Sequence, residues 1–310
     1  MLTSPANALL RDDRPAYRPF GATVSRVVEV SPSFRRITFS GVELGHFGTD
    51  RLDQRIKILF PIAGVGISDV GTAGDWYGRW RELPDDRRNP FRTYTVRDIR
   101  PHERELDVDF VAHGDGGPAA RWLTTASTGD AVVIVGPDVR SLTSHIGIDW
   151  HPGAATELLL AGDETAAPAI CSILESLGGD VRARVFIEVP TSGDVLSVRT
   201  DARVEITWLP RNGGESGLDA AVREWLDAHR DLLRSALAHE PQVLEEIDVD
   251  VDLLWDSPQE AASGGFYAWV AGESALVKGI RRALVSETGI DRSRVAFMGY
   301  WRRGKAEAQQ

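Results

Sequence analysis

One cysteine, Cys171, is present in 310 residues. A single thiol excludes a disulfide framework, a cysteine-ligated iron–sulfur cluster and a cysteine zinc site within one chain. Long apolar runs are missing too. Leu158-Leu159-Leu160-Ala161 reads as a core strand, and no stretch is long enough to span a bilayer. The N-terminus has no apolar signal core, because Arg11, Asp12, Asp13 and Arg14 come early. Positive charge is in deficit: 35 Lys and Arg face 46 Asp and Glu, a formal net charge of −11. That field argues against a general nucleic-acid or anionic-membrane binder and leaves room for a local basic pocket. The seven histidines form no H-E-x-x-H or paired metal spacing, so no metal site is expected. There is no G-x-S-x-G hydrolase elbow and no G-x-G-x-x-G. With 42% hydrophobic and 26% charged residues, the chain is expected to be soluble and cytoplasmic, with no membrane insertion and no nucleic-acid partner.

The length has room for two domains. Residues before about Tyr17 read as a loose arm. Short strand-like segments follow at Ala22–Val30, Arg35–Ser40, Gln54–Phe60, Arg92–Asp98, Glu105–Ala112 and Ala131–Val135. Many short strands with little helix predict an antiparallel β-barrel or sandwich over 17–150. Pro61 to Pro90 reads as a long excursion between two of its strands. After His151-Pro152-Gly153, a plausible linker, the pattern alternates over 154–310. Strands are predicted at 157–161, 184–189, 204–209, 266–271 and 295–301, and helices at 165–177, 219–233 and 274–285. The 219–233 helix is expected to bury Val222, Trp225, Leu226, Leu232 and Leu233. The alternation predicts a parallel sheet flanked by helices. The acidic stretch His239 to Ser263 reads as a surface insertion.

Arg92-Thr93-Tyr94-Thr95-Val96-Arg97 is the stretch around which the first domain is organised. As one strand, it places Arg92, Tyr94 and Val96 on one face and Thr93, Thr95 and Arg97 on the other. An arginine fork, a flat ring and a hydroxyl suit a flat, phosphate-bearing ligand. An amphipathic strand with a surface arginine fits the same string. A second stretch, His113-Gly114-Asp115-Gly116-Gly117-Pro118-Ala119-Ala120-Arg121-Trp122, has a glycine turn and a proline suited to the first position of a helix. A helix N-terminus opening from such a turn is an anion site; a plain strand-to-helix turn is the alternative. In the second domain, Gly162-Asp163-Glu164-Thr165 and Gly272-Glu273-Ser274 each join a strand end to a helix start, a ligand-facing crevice in open α/β sheets. Asp163 and Glu164 also suit simple helix capping.

Together the first two stretches resemble the flavin site of the ferredoxin-reductase-like flavoproteins. The form R-x-Y-T-x-R followed by H-G-x-x-G-P-A-x-x-W resembles the siderophore-interacting protein family, FAD-containing ferric-siderophore reductases that use NAD(P)H. G-D-E-T-A-x-P-A-I from Gly162 and the run from Ala268 to Gly304 resemble that family as well, so the likeness extends from about Phe20 to Gly304. It implies an FAD-binding β-barrel followed by a Rossmann-like NAD(P)H-binding domain. It implies FAD contacts from Arg92, Tyr94, Thr95, Arg97, His113, Gly116, Gly117, Pro118, Ala119 and Trp122, with Ser141 a further candidate. Gly162, Asp163, Glu164 and Thr165, with Gly272 and Glu273, are implied to lie near the nicotinamide. Lys57, Arg302 and Arg303 match basic residues implied to dock an anionic ferric siderophore. One loop departs from the family: Gly136-Pro137-Asp138-Val139-Arg140-Ser141-Leu142 stands where G-P-R-G-S-F is frequent. The implied activity is NAD(P)H-driven, FAD-mediated reduction of ferric siderophore, with no protein acid or base required, in a monomer. A flavin or electron-carrier reductase of the same fold, or a siderophore-binding protein without activity, are the alternatives.

Overall fold

The computed structural model describes residues 10–72, 75–112, 117–245, 247, 254–258, 260, 262 and 264–304. They divide into two compact units. The first holds the described residues within 1–28, 36–110 and 114–147, and the second those within 29–35, 111–113 and 148–310.

The first unit is built on β1 (Tyr17–Ser31), β2 (Phe34–Ser40), β3 (Arg55–Leu59), α1 (Trp76–Glu82), β4 (Phe91–Thr95), β5 (Asp98–Arg100), β6 (Glu105–Val111), α2 (Pro118–Thr125) and β7 (Ala131–Pro137). In β1 the period of two is plain: Phe20, Ala22 and Val24 are buried while Gly21 and Thr23 are exposed. The seven strands lie in the order β4-β3-β7-β1-β2-β6-β5. β1 with β7, β3 with β4 and β7, and β5 with β6 run antiparallel.

The two outer strands of that sheet are successive lengths of one run. Val96 N–H donates to Gln54 O at 3.0 Å, beside β3, and Arg97 N–H donates to Asp107 O at 2.9 Å, on β6. Consecutive peptide units therefore bond to opposite ends of the sheet and roll it into a half-barrel. The single strand expected over 92–98 is thus two. Alternation fails at Thr95, Val96 and Arg97, which are all buried, because the chain changes partners there.

Two loop expectations are corrected. Within 61–90, α1 builds a small core in which Leu59, Val70, Trp80, Phe91 and Val135 pack together. Asn89, fully buried, donates to Phe60 O and Gly66 O at 2.9 and 2.8 Å, and Trp80 Nε1 donates to Asn89 O at 2.8 Å. Residues 12–16 are not loose: Asp12 N–H donates to Arg140 O and Asp138 N–H to Ala16 O.

The second unit contains β8 (Glu157–Gly162), α3 (Ala167–Ser176), β9 (Arg182–Val189), β10 (Arg203–Pro210), α4 (Leu218–Ala228), α5 (Arg230–Leu233), β11 (Trp255–Asp256), β12 (Phe266–Glu273), α6 (Ser274–Arg281) and β13 (Val295–Trp301). The strand order is β10-β9-β8-β12-β13-β11. The first five run parallel, and β11 pairs antiparallel with β13, so the sheet is mixed rather than wholly parallel. β12 is buried at seven successive positions, as a strand covered on both faces must be. The stretch read as a surface insertion supplies this edge strand and the fully buried Leu254. The helix expected over 219–233 breaks at His229, whose ring Nδ1 lies 2.8 Å from Trp225 O and whose ring stacks on that indole. The break turns Leu232 outward, 41% exposed, while Leu233 stays buried. Val222 and Leu226 are buried and Trp225 half-buried. The β1–β2 turn belongs to this unit: buried Asp194 accepts from Ser31 Oγ, Ser33 N and Ser33 Oγ at 2.7, 2.7 and 2.9 Å. Among the described residues no helix is long and apolar enough to cross a membrane, and no group of His, Cys, Asp and Glu is arranged to hold a metal.

Candidate functional site

In the first unit, β4 carries Arg92 to the start of α2. Its Nη1 donates to Phe91 O at 2.7 Å, and it has no carboxylate partner among the described residues. Its Nη2 lies 3.8 Å from where a Cβ on Gly117 would stand, and among the described residues beyond the chain neighbours nothing else comes within 4 Å of that point. Gly117 has φ 152°, a conformation that L side chains rarely adopt. Pro118 follows at the head of α2 and gives up no donor that the helix needs. Beside this opening Tyr94 packs on Phe110 at 4.4 Å, and Trp122 on Phe60 at 4.9 Å, between ring centroids. The buried Trp122 indole N–H has no partner among the described residues. Ala119 is buried against the same core. His113 and Gly116 lie outside the described residues.

The other candidates in this unit have partners of their own. Thr95 and Arg97 are buried, and Arg97 Nε lies 3.5 Å from Asp109 Oδ2. Lys57, half-buried, donates to Thr93 Oγ1 at 3.2 Å and stands 4.9 Å over the Phe91 ring. Ser141 is fully buried and donates to Arg14 O at 2.8 Å. The departing loop has its own logic. Asp138 is fully buried and accepts from Arg18 Nε at 2.6 Å and from Arg140 Nε and Nη2 at 2.9 and 2.6 Å. Burial pushes its pKa up, but the two guanidiniums and the Arg140 amide outweigh burial and hold the carboxyl well below the usual range.

In the second unit the strand order reverses between β8 and β12, a topological switch point whose carboxyl-end crevice takes ligands in open α/β sheets. The structure brings Gly162, Asp163, Thr165, Gly272 and Glu273 together there. Asp163, 1% exposed, is the hub. Its Oδ1 accepts from Thr165 N and Oγ1 at 2.9 and 2.5 Å, and its Oδ2 from Glu273 N and Trp301 Nε1 at 2.7 and 2.8 Å. Burial and the neighbouring Glu164 charge push its pKa up to about 6, against the pull of those donors. Gly272 has φ 145°, and a Cβ there would lie 2.7 Å from Asp163 Oδ2. Glu164 turns away to Arg211, which donates to it at 2.8 and 2.6 Å and to buried Glu188 at 2.8 Å. Glu273 Oε2 caps α6 through Leu276 N at 3.0 Å. Arg302 is half-buried and Arg303 exposed, just beyond β13. Sequence reasoning assigned no role to Trp301, Arg211, Glu188 or Arg18. The Asp163–Trp301 bond spans 138 positions and leaves no local pattern to read.

Residues 23–141 match the siderophore-interacting FAD-binding domain, and residues 155–304 match the siderophore-interacting protein domain. The ferric vibriobactin reductase ViuB of Vibrio cholerae is 31% identical over 278 residues, covering 90% of this chain and 87% of its own length. The chain belongs to the siderophore-interacting protein family. Within that family, the crystal structure of the siderophore-interacting protein SipS from Aeromonas hydrophila is similar at 30% identity and a TM-score of 0.65, over 94% of this chain and 95% of that one. The ferredoxin reductase in carbazole 1,9a-dioxygenase, at 13% identity and a TM-score of 0.59 over 91% of this chain and 67% of that one, shows the ferredoxin-reductase-like fold. As a siderophore-interacting protein the chain has an FAD-binding domain, and the β4–α2 opening fits that cofactor. Among the described residues Arg92 has no carboxylate partner and the buried Trp122 N–H no acceptor, and the Gly117 backbone leaves space beside the guanidinium.

Proposed function

We propose that the chain is a cytoplasmic, monomeric, FAD-dependent reductase that uses NAD(P)H to reduce ferric siderophores and so release iron. The observation that carries this reading is the Arg92 guanidinium beside the open Gly117 backbone at the head of α2, inside a domain of the siderophore-interacting FAD-binding type. FAD, when bound, supplies the conversion of a two-electron hydride input into single electrons for Fe(III). Arg92 binds the pyrophosphate through its planar fork. Tyr94 would offer a ring face to the flavin, and the head of α2 would offer amide donors to a phosphate. The crevice where β8 and β12 diverge, framed by Gly162, Thr165, Gly272 and Glu273, receives NAD(P)H in a Rossmann-like manner. Lys57, Arg302 and Arg303 attract the anionic chelate. Fe(II) is softer and less charged than Fe(III), and hard oxygen chelators hold it more weakly.

The test is anaerobic rapid mixing. The flavin absorbance should bleach on adding NADH or NADPH and return on adding a ferric siderophore from a panel. Return with quinones or free flavin but with no ferric chelate would instead mark a general electron-carrier reductase. Colourless protein that takes up no FAD would point to a binding protein. Arg92→Ala should lower FAD affinity by roughly tenfold or more, since a charge-assisted bond contributes about 1.5–3 kcal/mol. Equilibrium titration of apoprotein with FAD measures it, and unchanged affinity would remove Arg92 from the site.

A further inference from the structure

The carboxyl ends of β8, β12 and β13 are tied by one side chain. Asp163 follows β8, takes the Glu273 amide at the end of β12, and takes the Trp301 indole at the end of β13. Two further hydrogen bonds help to fasten the chain there. Ser274 Oγ donates to Trp301 O at 3.0 Å, and Arg303 N donates to Glu273 Oε1 at 3.4 Å. Arg302 and Arg303 therefore stand where the Trp301 anchorage puts them. The charged groups on the elements packed around Asp163 are Glu164, Glu188 and Arg211, bonded to one another, then Glu273, Arg302 and Arg303. Of the buried carboxylates Asp163, Glu164 and Glu188, Asp163 alone is held only by uncharged donors.

We propose that Asp163 is a positioning residue for the anionic chelate: through the Trp301 indole it holds the Arg302–Arg303 tail in its binding geometry, and it loosens that hold when it takes a proton. This rests on the reading above that the two arginines meet the chelate. A proton on Oδ1 is accommodated without a clash, because the Thr165 hydroxyl can reverse and accept it. Oδ2 then becomes a neutral carbonyl oxygen, and its bonds to Trp301 and Glu273 lose the charge assistance that roughly doubles their strength. Asp163→Asn removes the charge with its oxygen toward Trp301 and Glu273, at the added cost of turning its amide nitrogen toward the Thr165 N–H, which loses its acceptor. Trp301→Phe keeps the ring and removes the N–H.

The experiment compares the parent, Asp163→Asn, Trp301→Phe and the double variant, all loaded with FAD, using an anionic and a neutral ferric chelate. At pH 7.5 each single variant should raise the KM for the anionic chelate by roughly fivefold to tenfold with kcat nearly kept, and the double variant should do no worse than either single. The KM for the neutral chelate should change far less than that for the anionic one, and any effect of Asp163→Asn on NAD(P)H binding through Thr165 and Glu273 is common to both chelates. In the parent the anionic KM should climb as pH falls through about 6, the pH at which burial places the Asp163 titration, and in Asp163→Asn it should stay flat. Independently of turnover, the ¹H–¹⁵N indole resonance of Trp301 in the parent should shift with the same midpoint. Additive KM effects, or an indole resonance that does not move between pH 5 and 8, would overturn the proposal. If Asp163→Asn does not fold, the parent titration and Trp301→Phe still decide. A parent that reduces no ferric chelate overturns the functional reading and this proposal together, whereas a competent parent with additive variants overturns the proposal alone.

Discussion

Two buried aspartates in this chain respond to pH with opposite sign. Asp138 is held well below the ordinary carboxylate range, so its contribution to stability is present above about pH 4, where the unfolded chain would ionise it, and fades as pH falls toward its folded-state value. Asp138→Asn removes one partner from a buried pair with Arg18 and Arg140, which should cost the N-terminal unit about 3–5 kcal/mol at pH 7. In urea melts the gap between parent and variant should narrow by pH 3; a gap independent of pH would mean that the carboxylate charge contributes nothing. Asp163 runs the other way. Its pKa rises from 3.8 to about 6, so keeping it ionised in the folded state costs about 3 kcal/mol above pH 6, a cost that disappears as pH falls through 6 toward 4. Stability is lost at this position to keep an anion where four donors converge, a compromise typical of functional sites.

At the scale of elements, α1 shows how a glycine-rich excursion becomes structure. Its Trp80 is 2% exposed, stacks edge-on to Phe91 at 4.9 Å and bonds to Asn89 O. Trp80→Ala should destabilise the first unit by about 3–5 kcal/mol, and because Phe91 adjoins Arg92 on β4, FAD affinity should weaken with it. A calorimetric melt beside an FAD titration checks both; a normal melt would return 61–90 to the status of a simple loop. This segment also shows what the sequence could disclose. Alternating apolar and polar residue types made β1 and β6 readable, although in β6 Asp107 and Asp109 are buried along with their apolar neighbours, and continuous apolar runs made β8 and β12 readable. The strand position of Arg92 and the Gly117–Pro118 entry to α2 were legible because each follows from local residue chemistry. The break at Val96–Arg97 was hidden, because it depends on two partner strands distant in sequence. β11 was hidden by its two-residue length inside an acidic stretch. Gly272 was legible as a crevice glycine, but its reason, the 2.7 Å approach of Asp163, belongs to tertiary packing.

For the molecule as a whole, a formal charge of −11 opposes an anionic substrate, so local cations must act against the global field. Replacing Lys57, Arg302 and Arg303 together by Ala should raise the KM for an anionic ferric chelate by roughly tenfold to a hundredfold. It should also flatten the salt dependence of the second half-reaction and leave flavin reduction untouched. Equal losses with anionic and neutral chelates would identify the three as ordinary surface charge. The pairing of β1 with β7 carries a consequence for the chain as it is made. Arg18 and its buried partner Asp138 are 120 positions apart, and the ladder from Tyr17 to Thr23 can form only with residues 131–137. At 5–20 residues per second, β1 waits on the order of 6–24 s for β7, with only β2, the strand that follows it, available to pair with it in the meantime. The first unit to emerge from the ribosome thus cannot finish before nearly half of the chain exists, and its earliest strand is the one most in need of a chaperone's shelter.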